Sequence, residues 1–156
     1  MADCIVERIT ANIATAMATV NSYPAAVAAV ERERMLLNIQ GRYPFIEIGG
    51  PYCEAETQTY KVEMTDLYYV IKYYIKKNDE STTANTELPY LTRNVCADMA
   101  KVLWVDPSRG ALAQFTHITD QGYDFDLDDS GEIEFYRYIV AQVRTRIHAA
   151  DPYNLG

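Results

Sequence analysis

Apolar residues recur every four positions at the start of the chain, at Ile5, Ile9, Ile13 and Met17, with Val6, Ala16 and Val20 widening the stripe. This spacing predicts an amphipathic helix from Asp3 to Val20 with one buried face, and Asp3 is placed to cap it. Arg8 is the sole cation on its polar side, which argues against a membrane-surface helix. Asn21-Ser22-Tyr23-Pro24 ends it. Residues 25–34 carry valines at 27 and 30 and then alternating charges, a pattern read as a strand. Residues 43–48 alternate and are read as a second strand that Gly49-Gly50-Pro51 stops.

The most strand-like stretch runs from Thr57 to Lys77 and is read as continuous. One face carries Leu67, Tyr69, Ile71, Tyr73 and Ile75, and the other carries Tyr68, Val70, Lys72, Tyr74 and Lys76. Both faces have apolar surface, so the strand separates a core from either solvent or a partner. The tyrosines, of which Tyr68 and Tyr74 lie on the second face, are candidate contact residues, because tyrosine is enriched at interfaces.

After a polar loop, Leu88, Leu91, Val95, Met99 and Val102 line one side of a second helix, about residues 86–104, with Pro89 tolerated in its first turn. Asp106-Pro107-Ser108-Arg109-Gly110 is a turn. Residues 116–119, 123–127 and 133–146 look extended. The order predicts an α+β fold, a mostly antiparallel β-sheet covered by the N-terminal helix and the second helix. It forms a single domain over residues 1–148, with 149–156 as a flexible C-terminal tail.

Charge adds one feature to this outline. Fourteen basic and twenty-two acidic residues give a net charge of −8, and between Asp120 and Glu134 there are seven acids and no base. Such a surface repels phosphate, which excludes specific nucleic-acid binding. The acidic run resembles a calcium loop in the register that begins at Asp126, where Asp128, Ser130, Gly131 and Ile133 fall at fitting positions. The twelfth position is then Arg137, a cation where the ion needs a bidentate carboxylate. The aromatic and β-branched residues that follow favour a hairpin whose turn is Ser130-Gly131. A calcium-binding module using residues 124–132 is kept as the remote alternative.

Other chemistry is sparse. His117 and His148 are far apart, and Cys4, Cys53 and Cys96 have no metal-ligand spacing and are read as small buried thiols. Gly49-Gly50 leads into Pro51 and forms no phosphate cradle. These residues predict no catalytic site, cofactor or metal. The start of the chain lacks the basic and apolar run of a secretory signal, and no apolar stretch approaches the ~18 residues of a membrane span, so synthesis in a cytoplasm is expected.

The order of segments resembles the tail terminator (tail completion) proteins of long-tailed bacteriophages. The likeness rests on the N-terminal helix, the stretch Arg42-Tyr43-Pro44-Phe45-Ile46-Glu47-Ile48, the strand ending in Val70-Ile71-Lys72-Tyr73-Tyr74-Ile75-Lys76-Lys77, the helix ending at Asp106-Pro107-Ser108-Arg109-Gly110, and the closing acidic hairpin and strand. It covers roughly residues 3–146.

The resemblance implies a virion structural protein and no enzyme. Such a subunit forms a homohexameric ring on the tail tube, ends tube polymerisation and presents the head-joining surface; a head-closure, neck or tail tube subunit is the alternative. Its partners would be copies of itself, the tail tube protein and a head-completion protein, with DNA passing through the ring. Its place would be the virion, assembled in the bacterial cytoplasm. The candidate interface or channel-facing residues are Asp124, Asp126, Asp128, Asp129, Glu132, Tyr68 and Tyr74.

Overall fold

A computed structural model describes residues 3–21, 27–32, 43–59, 62–76, 89, 92–127, 133–148, 151–153 and 155. The elements in chain order are α1 (Ile5–Met17), β1 (Ala29–Arg32), β2 (Phe45–Thr59), β3 (Val62–Lys76), α2 (Val95–Trp104), β4 (Phe115–Leu127) and β5 (Ile133–His148). The strands form one sheet in the order β1-β2-β3-β5-β4. β1 runs parallel to β2 and the other pairings are antiparallel. The fold is therefore α+β with a mostly antiparallel sheet.

Periodicity decides which side of the sheet is covered. Ile5, Ile9, Ile13 and Met17 of α1 are buried, as are Val95, Cys96, Met99, Ala100 and Leu103 of α2. All of these but Ala100 pack with Leu67, Tyr69, Ile71 and Tyr73 of β3 and Ile139, Ala141 and Val143 of β5 in one cluster. Burying each such aliphatic side chain stabilises the fold by about 1.5–3 kcal/mol. The Thr10 hydroxyl lies 3.1 Å from the Tyr69 hydroxyl and ties α1 to the central strand.

Several boundaries differ from those read in the sequence. Asp3 does not cap α1; Cys4 is the N-cap and makes no side-chain bond there. The first-turn amide of Ile5 instead donates to the Pro152 carbonyl at 3.0 Å, which meets the need of that orphan donor. Part of the tail, expected to be flexible, is thereby set against α1, and residues 149, 150, 154 and 156 lie outside the described residues.

Gly49-Gly50-Pro51 does not end the second strand, because β3 goes on pairing past it. The ladder slips between Gly49 and Tyr52, and β2 continues to Thr59. Gly50 has φ +96°, and a Cβ there would lie 2.8 Å from the Tyr68 carbonyl oxygen. Glycine alone fits this bulge.

The stretch 57–77 is two strands. Thr59 pairs with Val62, so β2 and β3 are consecutive antiparallel strands, and residues 60 and 61 lie outside the described residues. β4 spans both of the short extended pieces read there, joined through a register shift between Ile118 and Asp120. The described part of the second helix is α2, together with Pro89 in helical conformation; residues 86–88, 90 and 91 of the expected helix lie outside the described residues.

Candidate functional site

The two helices leave one side of the sheet without a helical cover among the described elements. That side begins with an aromatic cluster. Phe45 and Tyr74 stack at 4.8 Å, Tyr136 lies 5.1 Å beyond, and Tyr43 meets Phe45 edge-on at 5.2 Å. The Tyr74 hydroxyl donates to Glu47 at 3.0 Å, and the Tyr43 hydroxyl donates to buried Glu134. Tyr74 is 1% exposed. In the protomer its ring is a packing element rather than an open contact.

Farther along the same face Tyr68, Val70, Lys72, Tyr138, Val140 and Gln142 are half-buried, and His117, Asp120 and Asp124 of β4 are exposed. The Lys72 ammonium lies 4.8 Å from the Tyr136 ring centre. The Tyr68 hydroxyl makes a long bond to Glu54, 3.4 Å. The face is thus a mixed aromatic and charged surface, of the composition that contact surfaces use.

Asp66 and Arg144 bridge β3 and β5 on this face through two parallel bonds of 2.7 and 2.6 Å. Arg144 also lies 5.6 Å from the Phe115 ring. The hydrogen bonds from Arg144 hold the Asp66 carboxyl below its ordinary value of 3.8. A depressed carboxyl pKa gives stability that is present above the unfolded value and lost as pH falls through the folded one. Asp66→Asn should therefore cost about 0.5–1 kcal/mol at neutral pH, as for a solvent-screened pair. The difference from wild type should close below pH ~4, read from urea midpoints across the acid range. An equal loss at acid and neutral pH would contradict the assignment.

The acidic run joins the two strands of one hairpin. β4 and β5 pair as far as Leu127 and Ile133, so the helix–loop–helix frame of a calcium hand is not what surrounds it. Asp124 is exposed on β4, and Asp126 pairs in register with Glu134. Asp128, Asp129, Glu132 and the Ser130-Gly131 turn lie outside the described residues. Arg137, at the loop's twelfth position, points to the Thr92 hydroxyl at 3.3 Å and stands over the Tyr123 ring at 4.7 Å. Among the described residues no group of three or more His, Cys, Asp or Glu is set to hold a metal.

The thiols differ from their reading as buried. Cys96 is buried, but Cys4 is half-buried and Cys53 is exposed. Burial pushes the Cys96 thiol above its usual value, and its sulfur lies 3.4 Å from the Tyr138 carbonyl oxygen. That keeps it protonated and a poor nucleophile. His117 is exposed on β4. No helix among the described residues is long and apolar enough to cross a membrane.

One residue that sequence reasoning passed over is Arg109. It is 0% exposed, donating to Asn12 Oδ1 at 3.1 Å and to the Leu103 carbonyl. Asp106 folds the turn around it by accepting from Ser108 Oγ at 2.7 Å. Arg109, Gly110 and Ala111 all have positive φ, at 50°, 69° and 64°. The site residues read from the sequence whose side chains are described thus divide into a buried aromatic (Tyr74), a half-buried one (Tyr68) and one exposed carboxylate (Asp124) on the edge strand. Compared with known proteins, the chain matches no family model and no curated relative by sequence.

Proposed function

We propose that this chain is a structural subunit of a phage virion, a tail terminator that assembles into a ring, caps the tail tube and offers the surface to which the head joins. The observation that carries this reading is the one-sided covering of the sheet. Both helices lie on one face, and the other presents Tyr68, Val70, Lys72, Tyr138 and Val140 beside exposed carboxylates. A subunit whose ligands are other protein surfaces needs such a face. The segment order that resembles the tail terminators supports the same reading, and so does the acidic hairpin. A wall of carboxylates lets DNA slide past without capture, because like charges repel.

The test is assembly. Purified protein mixed with the tail tube protein of the same virus should give tubes capped at one end under negative stain, and the free protein should sediment with six times the protomer mass. A protomer that never multimerises and leaves tubes uncapped would overturn the proposal.

A further inference from the structure

β4 is an edge strand, and among the described residues no strand pairs with its outer side. Its amides show where the free bonds point. The Gln121 N–H donates to Asp120 Oδ1 at 2.8 Å and the Phe125 N–H to Asp124 Oδ1 at 2.9 Å. Both amides therefore face away from β5, and by the two-residue period of a strand the Tyr123 N–H between them faces the same way. A long edge of this kind is a template for another strand.

The register with β5 sorts the side chains along this edge. Asp120, Gly122 and Asp124 lie on the side without helices, paired with Val140, Tyr138 and Tyr136. Both aspartates are exposed, and the Tyr138 ring lies against Gly122, where a Cβ would stand 2.9 Å from its Cε1. Tyr123 and Phe125, 59% and 60% exposed, lie on the opposite side. The cation of that side, Arg137, stands over the Tyr123 ring and donates to Thr92 and the Pro89 carbonyl. The edge thus carries carboxylates on one side and aromatic rings with a cation on the other.

A strand added in the more stable antiparallel sense meets both rows at once. Cations suit the places opposite Asp120 and Asp124, and apolar residues suit those opposite Tyr123 and Phe125, beside Arg137. We infer that the β4 edge takes an extended segment of another protein, with Lys or Arg at two positions four residues apart and apolar residues on either side of the first. An acidic strand is repelled, and a neutral one must break two carboxylate–amide bonds with no ion pair in return, so the same carboxylates recruit one partner and exclude the rest. A second copy does not supply the segment. Lys72 and Lys76 are the one Lys or Arg pair at this spacing in the sequence, and they sit on β3, enclosed between β2 and β5. The inference goes beyond the ring reading and does not depend on it.

The probe is a fluorescein-labelled peptide with Val-Lys-Val-Thr-Thr-Lys at its centre, followed by anisotropy. It should bind, and the Tyr123 amide should gain protection from hydrogen exchange. A twin with Glu for both Lys should bind at least about tenfold more weakly, since two attractive cross-strand pairs become repulsive. N-methylation of the second valine, opposite Tyr123, should abolish binding with the protein intact. Gln121→Pro should do the same, because it removes an outward donor and no bond to β5, at an edge position where proline is tolerated; circular dichroism confirms that the variant is folded. In the double variant Asp120→Asn with Asp124→Asn, the lysine and glutamate peptides should bind within about threefold of each other.

Equal binding of the two peptides to wild type, binding indifferent to N-methylation, or no binding of the lysine peptide at millimolar concentration overturns the proposal. Dimerisation without peptide that Gln121→Pro abolishes would give the edge to a second copy and overturn it as well. Tube capping decides the ring reading separately, so a protein that caps tubes and ignores the peptide rejects this inference alone.

Discussion

Raising the pH from 10 to 12 should remove about 4 kcal/mol of folding stability, close to the whole stability of a marginal domain. Tyr69 and Tyr73 are fully buried on the helix-covered face. Burial pushes each hydroxyl from its ordinary value of 10.0 up to about 12. At Tyr69 the bond with Thr10 works in the opposite direction, and burial outweighs it.

The sign follows from linkage. A pKa raised in the folded state gives stability that is whole below the unfolded value and lost as pH rises toward the folded one. Two units at ~1.36 kcal/mol each set a ceiling of about 2.7 kcal/mol per tyrosine, of which about 2 is lost between pH 10 and 12, and two tyrosines give the total. The loss should show as circular dichroism and tyrosinate absorbance changing together. Tyr73→Phe, which removes one titrating group, should halve the alkaline loss. A native spectrum at pH 12 with every tyrosine ionised would refute the argument.

Arg109→Ala should cost about 3–5 kcal/mol by urea unfolding, the range for deleting a large buried side chain. The guanidinium binds Asn12 of α1 and the carbonyl of Leu103 in α2, so the truncation opens a cavity and strands both acceptors. Arg109→Lys should recover little, because a single ammonium cannot span both partners. Arg109→Met should cost less than alanine. It fills the space and removes a buried charge whose Nε has no hydrogen-bond partner. A loss under about 1 kcal/mol for alanine would mean that the turn closes over the gap unaided.

The core-facing residues were legible because period decides them. A four-residue repeat named the buried side of α1, and a two-residue repeat grouped Leu67 through Ile75 in one row of β3, the row that the structure turns to the helices. The contact face was harder to read. Tyr68 and Tyr74 share one side of one strand, yet Phe45 and Tyr136 from neighbouring strands bury Tyr74 while Tyr68 stays half open. Only cross-strand register separates them, and a single strand does not carry register. Arg109 was illegible for a similar reason. In Asp106-Pro107-Ser108-Arg109-Gly110 it reads as a solvated turn residue, and its burial depends on Asn12, almost a hundred positions earlier. The strand end read at Gly49-Gly50-Pro51 failed because the ladder to β3 overrides the local turn signal, and the single strand read over 57–77 failed because Thr59 pairs back on Val62.

The place of β3 governs how the chain reaches this state. One side of β3 pairs with its hairpin neighbour β2, and Ile71 on its other side pairs with Ile139, 68 residues later. Closing so long a loop is an entropic toll paid before the contact returns anything, which makes this union a late and slow step. On the ribosome, β3 waits with a naked hydrogen-bonding edge and a bare greasy face until the last strand emerges. That interval is when this polypeptide is most vulnerable to sticking to its own kind in the wrong way.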